Sequence, residues 1–478
     1  MRTEPPQPLV PLDVDPGLYT RHSGRVARVR LALVCMDLAT IAGAHLLVLS
    51  ALDTPPAPWA GGLTVSVLLS LVFLPVLLFL NGAYSLTSVR SAVRMFQALW
   101  RSVPAYFVVV LASHFFFPQL GMSPAAVALS ALGAGIGVGA SRALLFKLLR
   151  DARDRHSVLI IGAGWSGRTI GQILLEYLGN QVRVVGYVDD DAQKLGKEIV
   201  ADCRVLGTTS DLTHLVVEYQ VSELVLAITE QIPERLFTRL GACAEQGATW
   251  ISMANLYEEI TGRVPVKHID DRWFLYCFAP ELQRVYETLK RAVDVAAGLM
   301  GLAALASLYP FIALATWLDS GRPILYRQVR VGRGERLFTI HKFRTMVQNA
   351  EADGAAVWAA PNDSRTTRIG AWLRRTRLDE LPQFWNVLKG EMSLVGPRPE
   401  RPEFVSELSR EIPFFNRRHA VLPGITGWAQ VRYPYGASVE DSLQKLQYDL
   451  YYIKHRSLFL DAVILLKTLV TVLARDGR

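Results

Sequence analysis

The chain has 478 residues, of which 51% are hydrophobic and 20% are charged, and its formal net charge is +8. This length excludes one compact domain and predicts about three, while the hydrophobic fraction indicates membrane segments rather than one large soluble core. The basic balance suits anionic lipids, phosphate groups or nucleic acids equally well. The four cysteines lack metal-ligand spacing, so we expect free buried thiols in a reducing compartment.

Four apolar segments follow one another in the first third of the chain. They are residues 31–51, 62–80, 102–117 and 124–147. The first, second and fourth are long enough to span a bilayer as helices, and the third is marginal. We therefore predict a cytoplasmic tail at 1–26 and a region of four transmembrane helices at 27–150.

The charges around these segments predict their orientation. Arginines precede the first segment, and arginines and a lysine follow the fourth, whereas the loop 52–61 carries no positive charge. Because positively charged flanks stay in the cytoplasm, both ends of the bundle are predicted to lie there. Asp37 is unusual inside a span, and it is either a functional polar site or the partner of a neighbouring helix.

Residues 151–256 have the pattern of a Rossmann-like domain. Three glycines, Gly162, Gly164 and Gly167, directly follow an apolar strand, and a second strand ends at Asp189. Such glycines allow a tight turn beside a phosphate, and an acid at this spacing binds a ribose. These four are the candidate nucleotide-binding residues, although a structural or regulatory module fits the same pattern. Further strands are predicted at 222–228 and 248–252.

A connector is predicted at 257–285, and after it the apolar segment 295–318 is about long enough to span a membrane. Basic residues stand on both sides of this segment, and Pro310 lies inside it. Both flanks therefore favour the cytoplasm, and the proline removes a backbone hydrogen bond. A re-entrant helix that enters and returns on one face satisfies both observations, and a kinked fifth span is the alternative. Lys290 and Arg291, at its entry, are expected to meet lipid phosphates.

Apolar and polar residues alternate from Tyr326 to Arg344, which predicts two short strands. Their polar side chains would share a surface that could hold a diphosphate; they are Gln328, Arg330, Lys342 and Arg344. Further along, the run IGAWLRRTRLDELPQFWNVL (369–388) has apolar residues at roughly helical spacing and could lie in the membrane interface.

Two adjacent acids, Asp379 and Glu380, lie inside that run. Several arginines surround them in the sequence: Arg365, Arg368, Arg374, Arg375, Arg377 and Arg398. A bare acidic pair is usually the solvated start of a helix. Among so many cations it indicates chemistry on an anionic substrate, in which one carboxylate attacks or takes a proton and the other binds a hard cation.

The C-terminal half contains three characteristic segments, one after another. They are RPILYRQVRVGRGERLFTIHKFRTM (322–346), RLDELPQFWNVLKGEMSLVGPRP (377–399) and LPGITGWAQV (422–431). Together they resemble the polyprenyl-phosphate hexose-1-phosphate transferases, the monotopic phosphoglycosyl transferases of bacterial surface-polysaccharide synthesis. The resemblance begins near Lys290, and the N-terminal layout is similar to the large subclass of that family.

This resemblance implies a fold that combines a membrane helical bundle with α/β domains, and a catalytic domain at 286–478 with a re-entrant helix-break-helix. It implies transfer of hexose-1-phosphate from a UDP-sugar to polyprenyl (undecaprenyl) phosphate, with release of UMP. Asp379 would form a covalent phosphosugar intermediate, and Glu380 would hold Mg²⁺. The phosphate-binding residues would be Arg398, Lys342, Arg344, Gln328, Arg330 and Arg365.

The expected setting is a multi-pass protein of the bacterial inner membrane, with its soluble domains in the cytoplasm, at the first membrane step of exopolysaccharide or other surface-glycan synthesis. Its expected partners are the UDP-sugar, polyprenyl phosphate and membrane lipid, without nucleic acid; the sequence allows a homodimer but does not set the oligomeric state.

One alternative is a membrane-anchored nucleotide-sugar dehydratase, for which Tyr286 and Lys290 supply the Tyr-x-x-x-Lys spacing. Another is a membrane scaffold with a degenerate enzyme domain.

Overall fold

A computed structural model describes two compact units, Met1–Gly262 and Arg263–Arg478. The described residues are 23–51, 60–81, 83–84, 92–116, 124–150, 156–179, 182–228, 233–269, 280–348, 363, 365–433, 436 and 438–473. Most of the predicted tail at 1–26 lies outside them, as does Cys277. Cys203 and Cys243 are free and buried as expected, whereas Cys35 is free but exposed.

The first unit begins with four helices that cover the four predicted apolar segments. They are α1 (Ser23–Ala51), α2 (Ala60–Leu80), α3 (Ala92–Phe116) and α4 (Pro124–Arg150). Their inward faces form one apolar core, in which Ile41, Leu74, Tyr106 and Val138 are fully buried or nearly so. The four helices thus pack as a bundle.

The helices differ in the length of their apolar stretches. Among the described residues, Leu31–Val48 in α1 is long and apolar enough to cross a membrane, and so is Arg284–Ser320 in the second unit. Leu68–Phe79 and Ala128–Leu144 are apolar but shorter. Four membrane crossings at the N-terminus therefore stay a prediction.

Asp37 is paired inside the bundle. Its Oδ2 accepts hydrogen bonds from an NH2 of Arg142 at 2.6 Å and from the Tyr84 hydroxyl at 2.7 Å. The guanidinium of Arg142 also stacks on the Tyr84 ring, 5.0 Å from its centroid. The partner expected on a neighbouring helix is thus Arg142 of α4. A charge removed from water in this way needs such a partner.

The same unit continues into a three-layer α/β fold. Its six strands are β1 (His156–Ile161), β2 (Val182–Val188), β3 (Glu198–Val200), β4 (Cys203–Gly207), β5 (Glu223–Leu226) and β6 (Thr249–Ser252). They lie in the order β3-β4-β2-β1-β5-β6, and all neighbouring pairs are parallel except β3 with β4. The sequence predicted β1, β2, β5 and β6, and the Rossmann-like architecture is confirmed.

Helices cover both faces of this sheet. They are α5 (Trp165–Leu178), α6 (Leu212–Glu218), α7 (Glu234–Glu245) and α8 (Met253–Thr261). Residues of α5 and α8 share one core with the sheet, and residues of α6 and α7 share the other. Since Tyr257 and Ile260 belong to the first core, the fold extends past residue 256 into the predicted connector.

The second unit is organised along α9 (Pro280–Ser320), a helix of 41 residues that includes Pro310. The helix is continuous through this proline, so the break between two helices that the resemblance implied is absent. The re-entrant path itself stays a prediction. Many apolar side chains of α9 are exposed, including Met300, Phe311 and Leu318 at about 70% each.

Two antiparallel strands, β7 (Leu325–Val331) and β8 (Leu337–Phe343), follow α9 as predicted. The run 369–388, however, is not one helix. It divides into α10 (Arg368–Thr376), a 3-10 turn (Leu378–Gln383) and α11 (Phe384–Lys389). The division falls at Arg377, whose φ of 58° is left-handed and ends α10. The helical spacing predicted across this run was therefore wrong, while its position in the membrane interface stays a prediction.

The rest of the unit surrounds a pair of short parallel strands, β9 (Ser393–Val395) and β10 (Gly424–Thr426). The helices are α12 (Pro402–Glu411), α13 (Trp428–Arg432), α14 (Val439–His455) and α15 (Leu458–Leu473), and a 3-10 turn covers Phe415–Ala420. The Gly396–Glu400 segment leaves β9 and connects it to α12, which brings Arg398 to the site described below.

Removing one partner of the Asp37–Arg142 pair should destabilise the bundle. Asp37→Ala leaves a buried guanidinium without a counter-charge, so we expect a loss of about 3–5 kcal/mol in the free energy of unfolding. Thermal unfolding in detergent measures this loss. The matched control is Asp37→Leu combined with Arg142→Met, which should recover most of the loss. A single variant as stable as the natural chain would contradict the importance of the pair.

Candidate active site

The acidic pair occupies the 3-10 turn between α10 and α11. The left-handed Arg377 reverses the chain, and its backbone N–H bonds the Arg374 carbonyl, so α10 ends one residue before the turn begins. As a result Asp379 and Glu380 point inward, with only 8% and 7% of their surface exposed. They are therefore not the solvated start of a helix.

Glu380 is neutralised by two cations. Its Oε1 lies 2.8 Å from Nζ of Lys342, on β8, and 3.3 Å from an NH2 of Arg398, in the turn after β9. Burial alone would raise the pKa of Glu380, but Lys342, Arg398 and Arg377 outweigh it and hold this pKa well below its ordinary value. Glu380 is therefore ionised throughout the physiological range.

The pKa of Asp379 is shifted in the opposite direction. Burial raises its pKa to about 6, and the charge of Glu380 adds to the rise, while Lys342, Arg377 and Arg374 oppose it. Its Oδ1 is buried and has no hydrogen-bond partner in the described part of the chain. Buried carboxylate oxygens are normally satisfied. Asp379 thus presents an oxygen whose partner would have to come from outside the described residues.

Gln328 and Arg330 join this site through the Arg398 turn. They share one face of the β7–β8 pair with Lys342, since residues opposite one another in the register point the same way. Arg330 donates to the Pro399 carbonyl at 3.1 Å and to Oε1 of Gln328 at 2.5 Å. These three residues thus share one strand face as predicted, while their binding of a diphosphate stays a prediction. Arg330 also holds the turn that carries Arg398.

Two predicted phosphate-binding residues are engaged elsewhere. An NH2 of Arg344 donates to the carbonyls of Ser320 and Gly321, at 2.5 and 2.6 Å, where α9 ends. Arg365 forms a two-pronged ion pair with Asp363, at 2.8 and 2.5 Å. Arg344 lies past the end of β8, so the alternation that placed it with Lys342 no longer applies. The contacts recorded for both residues lie within the fold, and their binding of a phosphate stays a prediction.

The two basic residues that precede the apolar part of α9, Lys290 and Arg291, bind protein groups. Arg291 donates to the carbonyls of Val387 and Leu388, at 2.6 and 2.7 Å, near the C-terminal end of α11. Cations there stabilise the end of a helix. Lys290 pairs with Asp461 of α15 at 2.8 Å. Both residues therefore have protein partners, and their contact with lipid phosphates stays a prediction.

A buried carboxylate that the sequence analysis missed joins three elements. Oδ2 of Asp461 accepts from Lys290 and from the Tyr286 hydroxyl at 2.9 Å, and Oδ1 accepts from the Tyr452 hydroxyl at 2.8 Å. Tyr452 also contacts the Val395 carbonyl at 3.2 Å, three residues before Arg398. The Tyr286–Lys290 pair of the dehydratase alternative is thus part of a packing network. An acid inside the apolar run LFLDAVILL was the sequence signal.

The turn after β1 has the geometry that its glycines predicted. Gly162 has a φ of +105°, which side chains rarely adopt, and a Cβ on Gly167 would lie 1.9 Å from the Gly162 carbonyl oxygen. Gly164 precedes α5 and has open space around it. Asp189 directly follows β2, and its Oδ2 already accepts from the Ala163 amide at 2.8 Å and from Lys194 at 3.0 Å. Asp189 therefore fastens the turn, and nucleotide binding there stays a prediction.

Two parts of the chain match known families. Residues 285–475 match the bacterial sugar transferase family, and residues 80–253 match a CoA-binding domain family. A putative undecaprenyl-phosphate N-acetylgalactosaminyl 1-phosphate transferase of Bacillus subtilis is 47% identical over 133 residues, which are 28% of this chain and 74% of that protein. The chain belongs to the bacterial sugar transferase family.

Two other relatives match this chain over only part of their own length. UDP-N-acetylgalactosamine-undecaprenyl-phosphate N-acetylgalactosaminephosphotransferase of Aeromonas hydrophila is 43% identical over 50% of this chain and 55% of its own length. Undecaprenyl-phosphate glucose phosphotransferase of Komagataeibacter xylinus is 44% identical over 38% of this chain and 35% of its own length. The chain thus spans about half or less of these two relatives.

The transferase match contains the acidic pair, Lys342, Arg398 and the Asp461 network. The CoA-binding match contains α3, α4 and the Rossmann-like sheet. Each match therefore falls within one of the two compact units.

The Asp461 network predicts unequal effects for its members. Tyr286→Phe removes one donor and should cost about 1 kcal/mol of stability, because Lys290 and Tyr452 still bind the carboxylate. Asp461→Ala should cost about 3–5 kcal/mol, since Lys290 loses its buried counter-charge. Thermal unfolding of the two variants in parallel checks the difference, and equal losses would contradict the central place of Asp461.

Proposed function

We propose that this chain transfers hexose-1-phosphate from a UDP-sugar to polyprenyl phosphate and releases UMP, as an early membrane step in surface-glycan synthesis. The observation that carries the proposal is the buried Oδ1 of Asp379, which has no partner among the described residues and lies beside a Glu380 that is neutralised by Lys342 and Arg398. The relatives are named as transferases of a sugar phosphate to undecaprenyl phosphate, which supports this transferred group and this acceptor. They differ in the sugar, so the proposal extends only to a hexose.

In the first step an ionised oxygen of Asp379 attacks the β-phosphorus of the UDP-sugar. The bond between this phosphorus and the bridging oxygen breaks, and UMP leaves with that oxygen and its electron pair. The product on the protein is a phosphosugar bound to Asp379. With a pKa of about 6, Asp379 is mostly ionised at neutral pH, and it is more basic than an ordinary aspartate.

In the second step an oxygen of polyprenyl phosphate attacks the same phosphorus. The bond to Asp379 breaks, the carboxylate is regenerated, and the lipid carries the diphosphate-linked hexose. Lys342 and Arg398 lie within 3.3 Å of Glu380 and supply positive charge next to both transfers. Negative charge develops on the phosphoryl oxygens in the transition state. Positive groups that already lie beside these oxygens lower the barrier of the reaction.

The donor set of this site fits a Mg²⁺ ion. Mg²⁺ often takes one or two carboxylates and completes its shell with water and substrate phosphates. Lys342 and Arg398 contact Oε1 of Glu380, which leaves Oε2 as a donor, and Asp379 supplies the unpartnered Oδ1. Among the described residues no third acid, His or Cys completes a cluster. When bound, the ion would neutralise the diphosphate of the UDP-sugar.

The proposed setting is the bacterial inner membrane, which the chain would cross more than once. The apolar stretches of α1 and α9 and the exposed apolar side chains of α9 support it. A polyprenyl acceptor stays in the bilayer, so a site that is built against α9 would meet the lipid phosphate at the membrane surface. Arg291 and Ser320 of α9 contact α11 and Arg344, which joins the helix to the domain that carries the acidic pair.

The rate of turnover should fall at acid pH, because protonation removes the nucleophile. Because Asp379 must be ionised to attack and its pKa is about 6, kcat/KM should fall about tenfold per pH unit below pH 6 and level off above pH 7. Lys342→Met removes a cation that lowers this pKa, so the acidic limb should move to higher pH. UMP release measured between pH 4.5 and 8.5 tests both statements.

The matched control is Lys389→Met, which removes a lysine whose side chain is 44% exposed and lies 3.9 Å from Glu391. Its pH profile should coincide with that of the natural chain. A profile without an acidic limb near pH 6, or a limb that Lys342→Met leaves in place, would contradict the role given to Asp379.

The acidic pair should be indispensable for turnover. Asp379→Asn keeps the shape of the side chain but removes the anionic oxygen, so UMP release should fall by at least about 10³-fold. Glu380→Gln should weaken Mg²⁺ binding and also stop turnover, because a neutral amide is a poorer ligand for a hard cation. Glu403→Gln, at a mainly exposed acid, is the control and should keep normal rates. Release of UMP by Asp379→Asn at near-normal rates would end the proposal.

A further inference from the structure

Every carbonyl of the turn that carries Arg398, Pro397–Glu400, accepts a hydrogen bond. The first and the last accept from backbone amides of β10 and β7, at 2.9 and 3.0 Å. The second and the third accept from side chains, those of Arg418 and Arg330, both at 3.1 Å. The Arg398 side chain itself is 39% exposed, so its place beside Glu380 depends on the backbone that carries it.

Arg418 connects this turn to α14. Its side chain is 5% exposed, and one NH2 group donates both to the Arg398 carbonyl and to Oδ2 of Asp449, the latter at 2.7 Å. The guanidinium also lies over the Phe415 ring, 5.1 Å from its centroid. Asp449 is 1% exposed. Since one NH2 serves both acceptors, the place of Asp449 sets the direction in which Arg418 meets the turn.

The charges around the turn occur in equal numbers. Three arginines face three carboxylates; they are Arg330, Arg398, Arg418, Glu380, Glu400 and Asp449. Burial raises the pKa of Asp449 to about 6, and Arg418 opposes this rise, so Asp449 is mostly ionised at neutral pH. A buried ion pair adds little net stability but can fix one arrangement of the chain.

We propose that Asp449 is a positioning residue for the transfer: through Arg418 it fixes the turn so that the Arg398 guanidinium stays beside Glu380. The effect on catalysis rests on the proposed function, in which Arg398 supplies positive charge next to the reacting phosphorus. A displacement of about 1 Å in such a group can lower a rate about 10²-fold. Asp449 therefore acts on the reaction through two other residues.

A double-mutant cycle on UMP release tests the route through Arg398. Asp449→Asn keeps the shape of the side chain but removes its charge, so kcat/KM should fall about 10–10²-fold. In an Arg398→Ala background the same substitution should cost less than about threefold, because the group that Asp449 positions is gone. Equal losses in the two backgrounds would overturn the proposal. Glu440→Gln, at an exposed acid of the same helix, is the control and should keep normal rates.

A paired substitution separates position from stability. Asp449→Asn leaves the buried Arg418 without its counter-charge, so the unfolding midpoint should fall as well. Asp449→Leu combined with Arg418→Met removes both charges and should restore most of the midpoint. Its kcat/KM should stay low, because the Arg398 carbonyl still lacks its donor. Normal rates in this paired variant would show a merely structural role, and the paired variant decides if Asp449→Asn does not fold.

Hydrogen–deuterium exchange in lipid nanodiscs measures the turn itself, whatever the full chain transfers. In the paired variant the amides of residues 396–401 should exchange about fivefold faster or more, while those of β8 should keep their rates. Unchanged exchange in the turn would overturn the proposal. A natural chain that releases no UMP from any UDP-sugar, in which the turn still depends on Asp449, would refute the transferase and keep the positioning of the turn.

Discussion

Two adjacent carboxylates cannot both be buried and ionised unless cations stand next to them, and the C-terminal unit is arranged around this constraint. Lys342 comes from a strand, Arg398 from the turn after another strand, and Arg377 from the end of a helix, and all three lower the pKa of Glu380. They bear more heavily on Glu380 than on Asp379. Glu380 is therefore kept ionised, whereas Asp379 is more basic and has an oxygen without a partner in the part of the chain that the structure describes.

The positions of these cations depend in turn on polar groups of α9, α14 and α15. Asp294 of α9 accepts from the Leu394 amide at 2.9 Å, and the Asp461 network reaches the Val395 carbonyl, so both act on the strand that leads to Arg398. Arg418 then holds the Arg398 carbonyl from the other side. Buried charges of this kind add little stability by themselves but fix one arrangement among several. The helix that is expected to meet the lipid and the turn that is expected to meet the phosphate are thus held together by hydrogen bonds.

Local patterns in the sequence predicted the local parts of this fold. Alternation gave β7 and β8, apolar runs gave the four N-terminal helices, and the glycines before α5 gave the Rossmann-like turn. The acidic pair stood out because arginines surround it. The sequence did not predict the contacts between segments that are distant along the chain. Alternation placed Arg344 beside Lys342, but the strand ends at Phe343, and the guanidinium turns to the carbonyls at the end of α9. Helical spacing across residues 369–388 did not predict the left-handed Arg377 that separates α10 from the turn of the acidic pair. Lys290 meets Asp461 only through the packing of α15 on α9.

The central claim is that Asp379 carries the sugar phosphate between donor and acceptor. The most direct measurement incubates the chain with a UDP-sugar labelled in the hexose, without lipid acceptor, and quenches it rapidly for mass analysis of its peptides. The account predicts a hexose-phosphate adduct on Asp379 that disappears when polyprenyl phosphate is added. An adduct on Glu380, or UMP release that requires donor and acceptor together and leaves no adduct, would contradict it.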